Sequence, residues 1–273
     1  MGKSHANRSA RCGLFVAICL AFATTAPAEP GAVLAPRPTL LETFEKPITP
    51  DWHRHWAIAH YRFSHPFFDT DWSRDNLHID KGLHLTLAPQ DNAKNRFLGA
   101  SLRHKERTHF GRYEASIRPA KGAGLVTGFF TYTGPHYGTR HDEIDIEFLG
   151  QDTTRLNIAW FVDGKLYDRK VDLGFDAAQT LRSYAFDWLP DRLRWYVDGT
   201  LLFEVTEEEA PLPKVPGFLF ANLWAADTPL THWAGTAQTG THAKAFVGHM
   251  SFTPAKTPRT SQPQSGLETH PGS

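Results

Sequence analysis

Three carboxylates occupy every second position in the segment His141–Gly150, which reads HDEIDIEFLG. Successive side chains of a β-strand point to opposite faces, so Glu143, Asp145 and Glu147 would share one face of a strand. The two isoleucines and the phenylalanine between them would share the other face, as a buried sheet requires. Unneutralised carboxylates this close together are costly, and Asp and Glu are poor strand formers. The row therefore indicates a chemical function, with a solvated acidic face as the alternative.

The spacing of the two glutamates suits the cleavage of a glycosidic bond. Their Cα atoms would lie roughly 13 Å apart, at about 3.3 Å per residue. If each side chain leans roughly 4 Å toward the other, about 5 Å remains between the carboxyl groups, the separation of a retaining glycosidase pair. A slightly different lean would give the larger separation of inverting enzymes. The shorter Asp145 is placed to hydrogen-bond a neighbour and keep the two glutamates in different protonation states.

The elements that must position this row are predicted to be short β-strands. Apolar and polar residues alternate with period two in Phe186–Trp188 and in Leu193–Val197, and the pair Asp198-Gly199 is a strong hairpin signal before Thr200–Val205. Only residues 175–181 and 207–209 could hold a helical turn. Similar short runs recur at His78–Leu87, Gly111–Arg118, Leu125–Tyr132, Arg155–Val162 and Gly217–Trp224. This pattern predicts an all-β fold, a β-sandwich of two antiparallel sheets.

Composition excludes several other functions. The chain has 273 residues with 29 basic and 29 acidic side chains, so it has no basic field that would attract nucleic acid. Both cysteines, Cys12 and Cys19, lie near the N-terminus, so we expect no disulfide framework and no thiolate site in the folded part. The 15 histidines lack the HExxH spacing of zinc hydrolases and are read as dispersed surface residues. We expect no cofactor and no bound metal.

The first 28 residues are predicted to be a secretory signal peptide. Lys3, Arg8 and Arg11 precede a short apolar run over residues 12–23, and small residues at 26–28 form a cleavage site. The apolar run is shorter than the about 20 residues that a membrane-spanning helix needs. We therefore expect a secreted or periplasmic protein that has no membrane partner after cleavage.

The rest of the chain is predicted to contain one folded unit. Residues 29–38 are rich in proline and small residues and are expected to form a flexible linker. Residues 254–273 have almost no apolar content to offset their ordering entropy and are expected to form a disordered tail. The catalytic domain would then span residues 39–253, without an internal repeat, and we expect it to be a monomer.

These motifs together resemble glycoside hydrolase family 16, and specifically its lichenase branch of endo-β-1,3-1,4-glucanases. The resemblance covers most of residues 60–250. It implies a β-jelly roll with a concave substrate cleft, and a retaining endo-β-glucanase that cleaves mixed-linkage β-1,3-1,4-glucan or a similar bacterial exopolysaccharide. The matching segments, in the family's order, are Gly111–Ala115, Gly128–Gly134, Asp142–Gly150, Leu173–Asp176, Tyr184–Trp188, Trp195–Gly199 and Asn222–Trp224.

The resemblance assigns a role to each carboxylate. Glu143 would be the nucleophile that forms a glycosyl-enzyme intermediate, and Glu147 would be the general acid and then the base that activates water. Asp145 would be their electrostatic and hydrogen-bonding helper. Laminarinase-type members carry an additional residue that bulges this strand. Its absence here favours the lichenase or xyloglucan-active branches.

The resemblance also places seven residues at the sugar cleft. Phe130 and Tyr132 lie two residues apart and share a face, as do Asn222 and Trp224. Aromatic faces stack on pyranose rings and an amide can hydrogen-bond hydroxyl groups, although two core aromatics or a solvated arginine are the alternative interpretations. The substrate-binding candidates are Arg103, Phe130, Tyr132, His141, Asn157, Asn222 and Trp224.

The chain departs from typical lichenases at four positions. His141 stands where lichenases usually carry Trp and where xyloglucan transglycosylases carry His. Ala159 and Phe161 replace a sugar-binding Asn and Tyr, and Gly248 replaces a calcium-binding Asp. Two alternative functions therefore stay open: a transglycosylase on the same fold, and a non-catalytic glycan-binding jelly roll.

Overall fold

The computed structural model describes residues 38–91 and 94–256. Within these ranges the chain forms sixteen strands, two four-residue helices and three short 3-10 turns. The predicted signal peptide, nearly all of the linker and residues 257–273 of the predicted tail lie outside the described residues. The strands are β1 Leu40–Glu42, β2 Trp56–Ile58, β3 Thr70–Trp72, β4 Leu77–Ile79, β5 Leu83–Pro89, β6 Phe97–Thr108, β7 Gly111–Arg118, β8 Leu125–Thr133, β9 Asp142–Leu149, β10 Arg155–Val162, β11 Lys165–Asp172, β12 Arg182–Trp188, β13 Arg192–Val197, β14 Thr200–Thr206, β15 Gly217–Ala225 and β16 Ala243–Pro254. The helices are α1 Trp52–His55 and α2 Thr231–Ala234, and the 3-10 turns are Arg74–Asn76, Pro135–Tyr137 and Thr228–Leu230.

The strands form two antiparallel sheets, which confirms the predicted sandwich. The first sheet has the order β11-β10-β9-β8-β15-β6, with β2 paired to β6. The second sheet has the order β14-β13-β12-β7-β16-β5, with β1 on β16 and β4 on β5. The two sheets are continuous along one edge, where β5 pairs briefly with β6. Strand β3 pairs with β6 in parallel, which is the exception to the antiparallel pattern.

The apolar faces of the two sheets pack against each other to form the core. Ile144, Ile146 and Phe148 of β9 are fully buried, and the Phe148 ring packs edge-on against Tyr184 of the second sheet at 4.7 Å. The predicted alternation along β9 is therefore correct for its apolar side. The indole Nε1 of Trp195 donates a buried hydrogen bond to the main-chain carbonyl of Asp145, at 3.0 Å. This hydrogen bond from a core side chain of the second sheet fixes the main chain of β9 at Asp145.

Two details of the predicted secondary structure were wrong. The run His78–Leu87 is not one strand, because β4 and β5 are joined by a tight turn in which Lys81 has a positive φ of 49° and Gly82 a φ of 140°. Residues 175–181 and 207–209 form turns rather than helix, and the described helical turns lie elsewhere. None of the helices within residues 38–91 and 94–256 has the length and apolar character that crossing a membrane requires.

Candidate active site

Strand β9 lies in the interior of the first sheet, between β8 and β10. Its pairing with β8 runs without a register shift from Asp142 to Leu149, and its pairing with β10 does so from Glu143 to Glu147. The strand therefore carries no bulge, as predicted. Glu143, Asp145 and Glu147 point to the face opposite the buried isoleucines.

Strands β10, β9, β8 and β15 pair without a register shift, whereas the pairing of β15 with β6 shifts between Phe218 and Phe220. Side chains therefore form three rows across this face, one through each carboxylate. Listed across β10, β9, β8, β15 and β6, the first row is Phe161, Glu143, Tyr132, Phe218 and Arg107; the second is Ala159, Asp145, Phe130, Phe220 and Arg103; the third is Asn157, Glu147, Gly128, Asn222 and Ser101.

Nine of the ten residues predicted from the sequence are on β-strands of this sheet, and the tenth, His141, directly precedes β9. His141 Nε2 lies 2.6 Å from Glu143 Oε2. Trp224 follows Asn222 on the same face of β15, one residue pair beyond the third row, but it is only 5% exposed and its ring stacks on Phe68 at 4.0 Å. A neighbouring loop thus covers one face of the predicted sugar-stacking tryptophan.

The second and first rows also contain aromatic residues that sequence analysis missed. Phe220 stacks on Phe130 at 5.0 Å with 6° between the ring planes, and the Arg103 guanidinium lies 4.7 Å from the centre of the Phe218 ring. Tyr137, from the turn before β9, packs against Phe218 at 4.6 Å. Phe218, Phe220 and Asn222 lie two residues apart in β15 and therefore share a face. The two-residue period that predicted Asn222 at the cleft could have predicted both phenylalanines there.

Burial and mutual repulsion set the protonation of two of the three carboxyls. Burial raises the pKa of Glu147 to about 8, assisted by the negative charges of Glu143 and Asp168. Asn157 opposes this shift, because its Nδ2 donates to Glu147 Oε2 at 3.0 Å and favours the charged form. Burial, followed by the charges of Glu143 and Glu147, also raises the pKa of Asp145 well above its ordinary value. Glu147 therefore holds a proton at neutral pH, and the pKa of Asp145 is shifted in the same direction.

Three buried polar atoms in this face have no hydrogen-bond partner in the protein: Asp145 Oδ2, Asn157 Oδ1 and Asn222 Oδ1. Buried polar groups are nearly always paired in folded proteins, so such atoms call for an external partner. The carbonyl oxygens of two amides accept hydrogen bonds, which a hydroxyl-bearing ligand supplies. All three atoms belong to residues of the second and third rows.

A cavity of about 230 Å³ opens beside Asn157, at the β10–β11 end of the third row. Five of its six lining residues are polar or charged, and both signs of charge are present. It therefore extends the polar end of the face beyond Glu147. The lining residues are Leu149, Gln151, Asp152, Arg155, Asn157 and Lys170.

The residues present do not fit the calcium site that the resemblance implies. A Cβ atom at Gly248 would lie 2.6 Å from the Ser116 hydroxyl oxygen, so a longer side chain would displace Ser116. Ser116 Oγ instead accepts a hydrogen bond from the His249 amide at 3.0 Å. Among the described residues, no group of three His, Cys, Asp or Glu side chains is arranged to hold a metal ion.

Comparison with known proteins identifies similar sequences and structures. A model of the glycosyl hydrolases family 16 matches residues 65–244. The chain is 41% identical to a beta-glucanase of Paenibacillus macerans over 62% of this chain and 70% of that protein. It is 39% identical to a beta-glucanase of Bacillus subtilis over 66% of this chain and 74% of that protein. A solved Bacillus licheniformis beta-glucanase is 34% identical, with a TM-score of 0.71 over 79% of this chain and 98% of that one.

Proposed function

Since the chain belongs to glycosyl hydrolase family 16 and is an endo-β-glucanase, we propose that it cleaves mixed-linkage β-1,3-1,4-glucan or a bacterial exopolysaccharide of similar structure, with retention of configuration. The raised pKa of Glu147 beside the charge of Glu143 carries the assignment of this pair to glycosidic-bond cleavage, because a glycosidase needs one protonated and one ionised carboxyl. Retention is proposed from the resemblance to the retaining family. Residues 1–28 would direct the protein to the periplasm or the exterior.

In the first step, Glu143 attacks the anomeric carbon while Glu147 donates its proton to the glycosidic oxygen. A glycosyl ester of Glu143 forms, the glycosidic bond breaks, and the leaving sugar departs with the proton. The pKa of about 8 supplies the protonated form of Glu147 at neutral pH.

In the second step, the ionised Glu147 takes a proton from water, which attacks the anomeric carbon. The ester bond breaks and Glu143 regains its negative charge, so both side chains return to their starting states. An acceptor sugar in place of water would give transglycosylation. This is the second candidate function, because xyloglucan transglycosylases also carry a histidine at the position of His141.

Asp145 holds the nucleophile between these steps. It shares a hydrogen bond with Glu143, and the raised pKa of Asp145 lets it be the donor. Its main chain is held by Trp195 from the core. Asp145 therefore stabilises Glu143 while Glu143 is ionised, and this hydrogen bond is weakened when Glu143 becomes the glycosyl ester.

The sugar chain would lie across the three rows. Phe130 and Phe220 form a stacked aromatic surface in the second row, which suits the apolar face of a pyranose. The unpaired Oδ1 atoms of Asn157 and Asn222 would accept hydrogen bonds from sugar hydroxyls in the third row.

The proposal is tested by product release from barley mixed-linkage glucan, lichenan, laminarin, xyloglucan and carboxymethyl cellulose, with Glu143→Gln as the blank. We expect oligosaccharides from the two mixed-linkage glucans, with the β-anomer appearing first by NMR, and none from the variant. Transfer products with added xyloglucan oligosaccharides would favour transglycosylation. First appearance of the α-anomer would overturn retention. Inactivity on every glucan would exclude the mixed-linkage glucans and leave a bacterial exopolysaccharide as the proposed substrate.

A further inference from the structure

His141 contacts the candidate nucleophile directly. Its Nε2 lies 2.6 Å from Glu143 Oε2, and the side chains of the two residues are 27% and 16% exposed. An ionised carboxylate can only accept hydrogen bonds, so the contact requires a proton on Nε2 of His141. The histidine is therefore the donor.

The ring of His141 is fixed by both cross-strand neighbours of Glu143. Phe161 of β10 stacks on it at 4.5 Å with 19° between the planes, and Tyr132 of β8 packs edge-on at 5.2 Å. The main-chain carbonyl of His141 accepts the Gly164 amide at 2.9 Å, which ties its backbone to the β10–β11 turn. Ring and backbone are thus both held, so the direction of the Nε2 donor is determined by the sheet.

The carboxylate of Glu143 is consequently held from two sides along β9. His141 precedes it by two residues and Asp145 follows it by two, so the donors approach from opposite ends of the strand. Glu147 on β9 and Tyr132 on β8 also interact electrostatically with Glu143.

We propose that His141 is a positioning residue for the reaction: it donates Nε2–H to Glu143 and fixes the orientation of the nucleophilic carboxylate. This inference rests on the proposed function, because it takes Glu143 as the nucleophile. It differs from the sugar-contacting role predicted for this position from the sequence. The hydrogen bond stabilises ionised Glu143 before attack, and it stabilises the carboxylate that leaves when the glycosyl ester is broken.

The test compares His141→Phe, which keeps a flat ring against Phe161 but removes the donor, with His141→Gln, which retains an N–H donor. For His141→Phe we expect kcat on mixed-linkage glucan to fall about 10- to 100-fold with KM changed little, since misplacement of a reacting group costs up to about this factor. His141→Gln should restore most of kcat.

A control and a second measurement separate this role from others. His136→Phe replaces an exposed histidine whose ring contacts Tyr137, and it should behave as the unmodified protein. Covalent trapping of Glu143 by an activated 2-fluoro glycoside reports on the nucleophile alone, and it should slow in His141→Phe by the same factor as kcat. A rise in KM without a fall in kcat would show a sugar-binding role and overturn the inference. So would a His141→Phe variant with unchanged kcat and trapping. Activity or trapping that survives in Glu143→Gln would instead overturn the proposed function.

Discussion

Glu147 is the side chain whose chemistry depends most on its surroundings. Its pKa of about 8 results from burial and from the nearby charge of Glu143. The general acid must be protonated, so activity should be lost as pH rises through about 8. We expect a bell-shaped profile of kcat/KM with its basic limb near that value. This limb should disappear in Glu147→Ala measured on aryl glycosides with good leaving groups, which need no proton.

The same variant tests the role of Glu147 through the leaving group. Loss of general acid catalysis costs about 10²- to 10⁴-fold, and it should be greatest for poor leaving groups. Added azide should restore part of the activity by attacking the glycosyl-enzyme. Glu208→Gln, at an exposed site in the turn after β14, is the matched control. An equal loss for all leaving groups would contradict the assignment of Glu147.

Sequence parity was sufficient to place the carboxylate row but not the contacts of its neighbours. The positions of Glu143, Asp145 and Glu147 follow from the two-residue period of a strand, which is local. The contact of His141 with Glu143 depends on rings contributed by two other strands. The covering of Trp224 by Phe68 likewise depends on a loop distant in the sequence. Predicting such contacts requires knowledge of the strand order and the side-chain rotamers, which cannot be read from a single sequence.

At the level of elements, strand β9 is anchored at its first residue. Asp142 accepts hydrogen bonds from the main-chain amides of Lys214 at 2.7 Å, Val215 at 3.1 Å and Asp163 at 3.1 Å, and it pairs with Arg140 at 2.9 Å. Burial opposes the ionisation of Asp142, but Arg140 and the three amides outweigh burial and lower its pKa. Asp142 thus joins the start of β9 to the β10–β11 turn and to the segment before β15.

We expect Asp142→Asn to destabilise the fold by about 1.5–3 kcal/mol at pH 7, the usual range for hydrogen bonds to a charged group. The stabilisation is present above the ordinary pKa of 3.8 and is lost as pH falls through the lower pKa of the folded state. Urea unfolding at pH 7 and at stepwise lower pH should therefore show the gap between the two proteins closing. Asp80→Asn, at an exposed turn, should show no gap. A gap that is constant with pH would contradict this account.

The strand pattern of the sequence was reliable where a strand buries one face and unreliable at edges and turns. Strand β9 alternates because one of its faces lies in the core. The edge strand β11 is mostly exposed and mostly polar, so no alternation marks it. The turn between β4 and β5 is formed by Asp80, Lys81 and Gly82, but the lysine at a positive φ is not a typical turn residue, so the segment was read as one strand.

For the whole molecule, the acidic side chains of the two sheets have opposite effects on stability. The first sheet carries buried carboxyls whose pKa values are raised. The outer face of the second sheet carries Glu114, whose pKa is lowered to about 2 by His249, Ser183 and Arg112 against the opposing effect of burial. Raised values of buried acids oppose folding at neutral pH, whereas a lowered value supports it. Replacement of one acid in each sheet should therefore change stability in opposite directions.

Asp145→Asn should stabilise the protein at pH 7 by about 0.5–2 kcal/mol while reducing activity, as expected where a functional site is held at a cost in stability. Burial raises the pKa of Asp145, so its ionisation opposes folding at pH values above the ordinary value of 3.8. Unfolding at pH 8 and at stepwise lower pH should show the advantage of the variant shrinking as pH falls through 3.8, because the carboxyl then becomes protonated in the unfolded chain as well. Glu114→Gln, which lies on the opposite face, should lose stability at neutral pH and keep kcat/KM. A less stable Asp145→Asn at pH 8 would contradict this account.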